Sequence, residues 1–256
     1  MKNIVFMMNV DLEDKGRFAS SRTNPYKYSI ESWRKWSDKN NCELFVLTDE
    51  LVDHNFMGIC WQRWYIFDLL EANNIEYNQI LSIDADTIVH PDCPNFFEMT
   101  DNKFTVCHFD GSWDWVLRSI ENYSKHIFGG MKFRMDKYFD SGFWIVNEQH
   151  KDFAKSVTDL YNEKASMFRE LEKLHTGTEQ TPLNFMTKVE DLDMTYLPYE
   201  FNMNDMPRRE ILTEDLFFTK CGWVYQYNAL PNNKNNELTD YWMKKTYEHF
   251  YGTYKE

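Results

Sequence analysis

The feature that most limits what this chain can fold into lies at residues 79–89, Gln-Ile-Leu-Ser-Ile-Asp-Ala-Asp-Thr-Ile-Val. Ile80, Leu81, Ile83, Ile88 and Val89 read as a buried strand, yet Asp84 and Asp86 sit inside it. A carboxylate taken out of water is costly unless it is paired or holds a metal. In extended backbone, residues i and i+2 project to the same side, so the spacing predicts both acids on one face and small Ala85 on the other. Two hard oxygen ligands side by side suit Mg2+ or Mn2+, which complete their shells with water and phosphate oxygens. The competing reading of an Asp-x-Asp triplet is a solvated turn. The apolar run before it favours the ligand role, because open α/β sheets bind ligands at the carboxyl ends of their strands.

Ile83-Asp84-Ala85-Asp86-Thr87, followed by His90-Pro91-Asp92, resembles the DxD strand of GT-A glycosyltransferases. The nearest likeness is to retaining enzymes of glycosyltransferase family 8, the glycogenin and galactinol-synthase type, and their relatives. The resemblance implies an α/β, Rossmann-like GT-A domain spanning residues 1–256, with a mostly parallel central sheet flanked by helices. Its nucleotide-sugar half would be 1–110, ending with the DxD strand, and its acceptor half with a closing helix would be 111–256. It further implies that Asp84 and Asp86, with Ala85 between them in the donor site, hold Mn2+ or Mg2+ against the diphosphate of a UDP-sugar.

Composition bounds the partners. With 28 basic and 41 acidic residues the formal charge is −13, which argues against nucleic acid or an anionic membrane as the main partner, since both call for a basic footprint. A nucleotide sugar is anionic too, so a cation would offset the repulsion. Apolar residues at 43% and aromatics at 17% exclude a disordered chain. Cys42, Cys60, Cys93, Cys107 and Cys221 are odd in number and lack CxxC spacing, which points to a reducing compartment such as the cytoplasm. The apolar start reaches Asp11 too soon for a signal peptide, and no run approaches the roughly 18 apolar residues of a membrane span.

Along the chain, residues 4–10 read as a first strand, 28–39 as a helix and 43–47 as a second strand, a β-α-β start that favours a parallel sheet. Asn9 and Asp11 at the end of the first strand are base contacts by resemblance, or caps of the turn that follows. A helix is expected across 62–72 with Arg63 at its start, either reaching the donor as in the resembling families or lying on the surface. Residues 110–136 mix Trp113, Trp115, Arg118, Tyr123, Gly129, Gly130 and Arg134. They read as an acceptor loop whose rings meet flat sugar faces, or as aromatics covering a helix. Residues 150–174 form a long amphipathic helix.

Three later stretches carry the resemblance in order. Asp140-Ser141-Gly142 opens a strand ending at Asn147 and resembles the family's Asn-Ser-Gly strand, with Asp140 in place of the common Asn; a plain turn into a strand is the alternative. A glycine there lets backbone approach a ligand closely. Glu179-Gln180 stands where the family has Asp-Gln beside the reacting carbon, with Thr178 as the expected N-cap and Pro182 in the first turn. Glu179 is also ordinary chemistry for a first helical turn. Residues 196–202 resemble the family's Leu-Pro…Trp-Asn stretch with Phe201 for Trp, and Gln226 falls where the family's third metal ligand, a histidine, is expected.

The resemblance therefore implies transfer of a hexose from a UDP-sugar to a sugar or protein acceptor with retention. Asp140, Glu179 and Gln180 would stand at the sugar, Ser141 and Asn147 with the donor, and Gln226 on the metal. A nucleotidylyltransferase shares the sheet and the paired acids, but usually carries a glycine-rich basic loop after the first strand; here Asn9-Val10-Asp11-Leu12-Glu13-Asp14 is acidic and glycine-free. A degenerate transferase that binds without turnover remains open because of Gln226.

Overall fold

The computed structural model describes residues 1–10, 25–109 and 111–255. Asp11 and Asp110 therefore lie outside the described residues. The elements run β1 (Lys2–Met8), α1 (Tyr26–Lys39), β2 (Glu43–Leu47), α2 (Ile59–Gln62), α3 (Ile66–Ala72), β3 (Tyr77–Ile83), β4 (Thr87–Val89), β5 (Phe104–His108) and α4 (Trp113–His126). There follow β6 (Phe139–Asn147), α5 (Lys151–Glu172), α6 (Gln180–Val189), β7 (Met194–Leu197), β8 (Val224–Gln226) and α7 (Glu237–Tyr251).

Six strands form one sheet in the order β2-β1-β3-β6-β5-β7. β1 runs parallel to β2 and β3, β5 runs parallel to β7, and β6 is antiparallel to both β3 and β5. The sheet is thus mostly parallel, as expected. β2, β1 and β3 lie side by side and β6, β5 and β7 continue the sheet, with β5 of the first half between β6 and β7 of the second, so the two halves share one sheet.

Period-two alternation sorts the strand residues between two cores. Ile4, Phe6, Ile80, Trp144 and Val146 pack on one face with residues of α3, α5 and α6. Val5, Met7, Leu81, Ile83, Phe143 and Ile145 pack on the other with Trp33 and Trp36 of α1. A third cluster joins Ile88 and Tyr225 of the small β4–β8 sheet to Met243 and Tyr247 of α7. Among the described residues, no helix is long and apolar enough to cross a membrane.

The structure corrects three local expectations. Residues 79–89 are not one strand: β3 ends at Ile83, Asp84 to Asp86 form a turn, and β4 leaves to pair with β8. The Thr87 hydroxyl closes that turn by donating to Asp84 O at 2.8 Å, and Trp33 Nε1 donates to Thr87 Oγ1 at 2.9 Å. The helix expected across 62–72 is broken by a 3-10 turn at Arg63–Tyr65. Just before it, buried Gln62 is stitched to the 51–57 loop: its Oε1 accepts from Leu51 N and Val52 N, and its Nε2 donates to Val52 O and Met57 O. Finally, Thr178 does not cap α6. Glu179 holds the N-cap position, and the Thr178 hydroxyl donates to the Glu179 carboxylate instead.

Trp144 stacks on Trp64 with ring centroids 4.3 Å apart and joins the sheet to the 3-10 turn that carries Arg63. Trp144→Ala should lower unfolding free energy by about 3–5 kcal/mol, the usual cost of emptying a fully packed aromatic site. Guanidinium unfolding followed by fluorescence and circular dichroism checks this; a loss below about 1 kcal/mol would mean that the site collapses freely.

Candidate active site

The acids gather where β3 stops. Because β1 and β3 are parallel, their carboxyl ends lie side by side, and because β6 is antiparallel its amino end meets them there. Asp84 N donates to Gly142 O at 3.0 Å, which fixes the turn against β6. A Cβ on Gly142 would sit 2.6 Å from Asp84 Oδ2 and 3.0 Å from Gln226 Nε2, so a side chain at this position would force the Asp84 carboxylate to move.

Arg63, 9% exposed, reaches in from the 3-10 turn. It donates to Asp84 Oδ1 at 2.7 Å and to Ser141 O at 2.9 Å, and its guanidinium lies 3.9 Å from Glu179 Oε1. A buried charge is tolerated only when paired and hydrogen-bonded in this way. The Ser141 hydroxyl donates to Glu179 Oε1 at 2.8 Å, and Ser141 N–H approaches Gln180 Oε1 at 3.4 Å. Burial pushes the Glu179 carboxyl up, but the Arg63 charge and hydrogen bonds from Thr178, Cys60 and Ser141 outweigh it and leave the group below its ordinary range. Among the described residues, the buried Gln180 Nε2 has no hydrogen-bond partner of good geometry, although the amide lies close enough to the Tyr138 hydroxyl to lower its pKa, and it could turn a donor to a ligand oxygen.

On the far side of Asp84, Gln226 Nε2 donates to Asp84 Oδ2 at 2.9 Å, while Gln226 Oε1 accepts from Asn202 Nδ2 at 3.3 Å. Asn202 also donates to Asp140 Oδ2 at 2.9 Å, and Asn204 Nδ2 donates to the same oxygen at 2.8 Å. Gly142 N donates to Asp140 Oδ1 at 3.0 Å. Burial, then the Asp84 charge, push the Asp140 carboxyl up to about 7, against these amide donors. Burial and the same Asp84 charge push Asp86 up to about 8. A hydrogen bond from Gln226 opposes that rise, and among the described residues Asp86 Oδ1 is buried with no hydrogen-bond partner.

These residues fit a hard divalent cation. Carboxylate oxygens are the right donors, the Asp84 charge disfavours the Asp86 anion, and among the described residues Asp86 Oδ1 has no hydrogen-bond partner. Gln226 adjoins the pair, but its amide nitrogen faces Asp84 and its oxygen faces Asn202, so the carbonyl would have to turn to act as a ligand.

The structure thus brings together Arg63, Asp84, Ala85, Asp86, Asp140, Ser141, Glu179, Gln180 and Gln226. Asn9 stands at the carboxyl end of β1, where its N–H extends the ladder to Leu47 O at 2.9 Å. Asn147 is not in the cluster. It lies five residues beyond Gly142 along β6, about 16 Å away in extended chain, where its Oδ1 caps the 3-10 turn at Gln149 N and its Nδ2 donates to Asn102 O. Asn204 was missed by sequence reasoning. Asn202-Met203-Asn204 carries the same i, i+2 signal as Asp84-Ala85-Asp86, in backbone held extended by Met203 N to Val224 O at 2.8 Å.

The acids predict a pH effect without metal. The native Asp86 carboxyl binds its proton up to about pH 8, whereas an unfolded Asp releases it near pH 4. Native stability is therefore fullest below about pH 4 and is lost as pH rises toward 8, by at most about 1.4 kcal/mol per pH unit from this group. In EDTA, Asp86→Asn should melt higher than the parent at pH 8, with the gap shrinking toward pH 5. Parallel melting curves across that range would contradict the crowding of the two acids.

No family model matches this sequence, and no curated protein is similar to it by sequence. By structure it is similar to a glycosyltransferase involved in glycosylation of the major capsid of PBCV-1, with a TM-score of 0.56 at 11% identity over 94% of this chain and 100% of that one. It also matches the glycosyltransferase GlyE of Streptococcus pneumoniae TIGR4, with a TM-score of 0.49 at 14% identity over 96% of this chain and 60% of that one. At such identities the likeness is one of fold: this chain has the GT-A-like α/β fold of the capsid glycosyltransferase, built on a mostly parallel central sheet.

Proposed function

We propose that the protein is a metal-dependent glycosyltransferase that moves a hexose from a UDP-sugar to an acceptor hydroxyl with retention. One observation carries the reading. Asp84, Asp86, Asp140 and Glu179 converge at the carboxyl end of β3, and among the described residues Arg63 is the cation that pairs with this group. Such a surplus of negative charge answers a divalent cation. Bound there, Mn2+ or Mg2+ would offset the charge that grows on a departing diphosphate.

The chain's own residues supply the rest. Asp84 and Asp86 hold the metal, Arg63 orients Asp84, and the Gln180 amide donates to the sugar or the leaving oxygen. Asp140, fixed by Asn202, Asn204 and Gly142, accepts from donor-sugar hydroxyls. Retention rests on the likeness of the Asp140 and Glu179-Gln180 positions to those of retaining enzymes. All five cysteines are free, which supports action in a reducing compartment such as the cytoplasm. A second reading, a binder without turnover, rests on Gln226, an amide where the resembling families carry a histidine ligand.

A panel of UDP-glucose, UDP-galactose and UDP-N-acetylglucosamine, incubated with and without Mn2+, tests both readings through UDP release. We expect release from one donor, at least about 100-fold faster with Mn2+ and abolished in Asp84→Asn. Equal release in EDTA contradicts the metal role, and metal-dependent UDP binding without release establishes the binder. The anomeric coupling constant of a fresh product decides retention: an α-linked product is expected, and a β-linked one rejects it.

A further inference from the structure

A cavity of about 410 Å3 is lined by His108, Phe109, Gly111, Trp113, Tyr138 and Tyr199 among others. It adjoins the site through covalent neighbours. Tyr138 lies two residues before Asp140, and its hydroxyl meets Thr181 Oγ1, one residue after Gln180, at 2.6 Å. Tyr199 donates to Asn204 O, the neighbour of the amide that clamps Asp140. Behind Gly111 stands the buried Asp205 carboxylate: a Cβ on Gly111 would lie 2.7 Å from Asp205 Oδ2.

The walls define the ligand. They are aromatic, and Trp113, on the first turn of α4, leaves its indole 63% exposed at the rim. An exposed indole next to a ring-lined cavity suits a molecule with a flat C–H face. The acids nearby already have cations: Arg134 forks onto Asp136 at 2.9 and 2.7 Å, and Arg208 sits 3.1 Å from Asp205 Oδ1. Among the described residues, the cavity therefore offers apolar faces and hydrogen-bond acceptors, with its acids Asp136 and Asp205 each paired to an arginine. Its volume falls in the ~300–1,000 Å3 range of small-molecule sites.

Resting on the transferase reading above, we infer that this cavity is the acceptor subsite and takes a neutral pyranose, stacked on Trp113 and directed toward Asp140.

Saturation-transfer NMR and tryptophan fluorescence on the full chain test this with methyl β-D-glucopyranoside, methyl β-D-galactopyranoside and methyl α-D-mannopyranoside. At least one should bind saturably, Trp113→Ala should weaken it by about tenfold, and Trp113→Tyr should restore most of the affinity. Val116→Phe, which fills the cavity from α4, should also block binding. Equal binding in all variants, or no saturable binding below about 50 mM, overturns the inference. Tighter binding of methyl β-D-glucuronide than of the glucoside also overturns it. UDP titrated with Mn2+ on the same sample keeps the two readings apart. Pyranoside binding without UDP binding keeps the sugar subsite and removes the transferase reading, whereas UDP binding with no pyranoside binding does the reverse.

Discussion

The site depends on one buried guanidinium. Arg63 ties together the end of β3 through Asp84, the start of β6 through Ser141 O, and the N-cap of α6 through Glu179. Three segments distant in sequence meet on one side chain, and burying it is favourable only because each contact is made. Its backbone position depends in turn on the break between α2 and α3, which Gln62 fixes by four hydrogen bonds to the 51–57 loop. Lysine would not reproduce the arrangement, because its compact ammonium lacks the planar guanidinium fork that spans Asp84, Ser141 O and Glu179.

Around that cation the acids are in excess. Where the resembling families commonly have an asparagine, Asp140 adds a further carboxylate, and two side-chain amides and one backbone N–H converge on it. Amide dipoles ease a buried charge without cancelling it, so burial and Asp84 still push Asp140 upward. Gly142 permits the crowding, since a residue without Cβ lets the β6 backbone lie against Asp84. These features leave the acids only partly offset by the chain's own donors, which is the basis of the proposed divalent cation.

The parts legible in the sequence were those with local causes. The β-α-β start, the apolar strands and the long α5 follow from periodicity, and Asp84 and Asp86 drew notice because acids interrupt an apolar run. Arg63 and Gln180 came from likeness to known enzymes, and the structure places both beside the acids. What was not legible depended on topology. Nothing local shows that β6 runs against its neighbours, so which of its ends faces the site could not be read; Asp140 stands at one end and Asn147 at the other. The turn at Asp84 to Asp86 was hidden because Ile88 and Val89 look like a continuation of β3, although they belong to a different sheet. Asn204 carried a readable signal, but its partner Asp140 lies 64 residues away.

The central claim is that the acid surplus beside Arg63 is built for a divalent cation. Anomalous diffraction from crystals grown with Mn2+ and UDP addresses it most directly. The account predicts one strong manganese peak within coordination distance of carboxylate oxygens of both Asp84 and Asp86, with diphosphate oxygens completing the shell. A fully occupied peak elsewhere, or diphosphate bound at the carboxyl end of β3 with no metal between it and these acids, would contradict it.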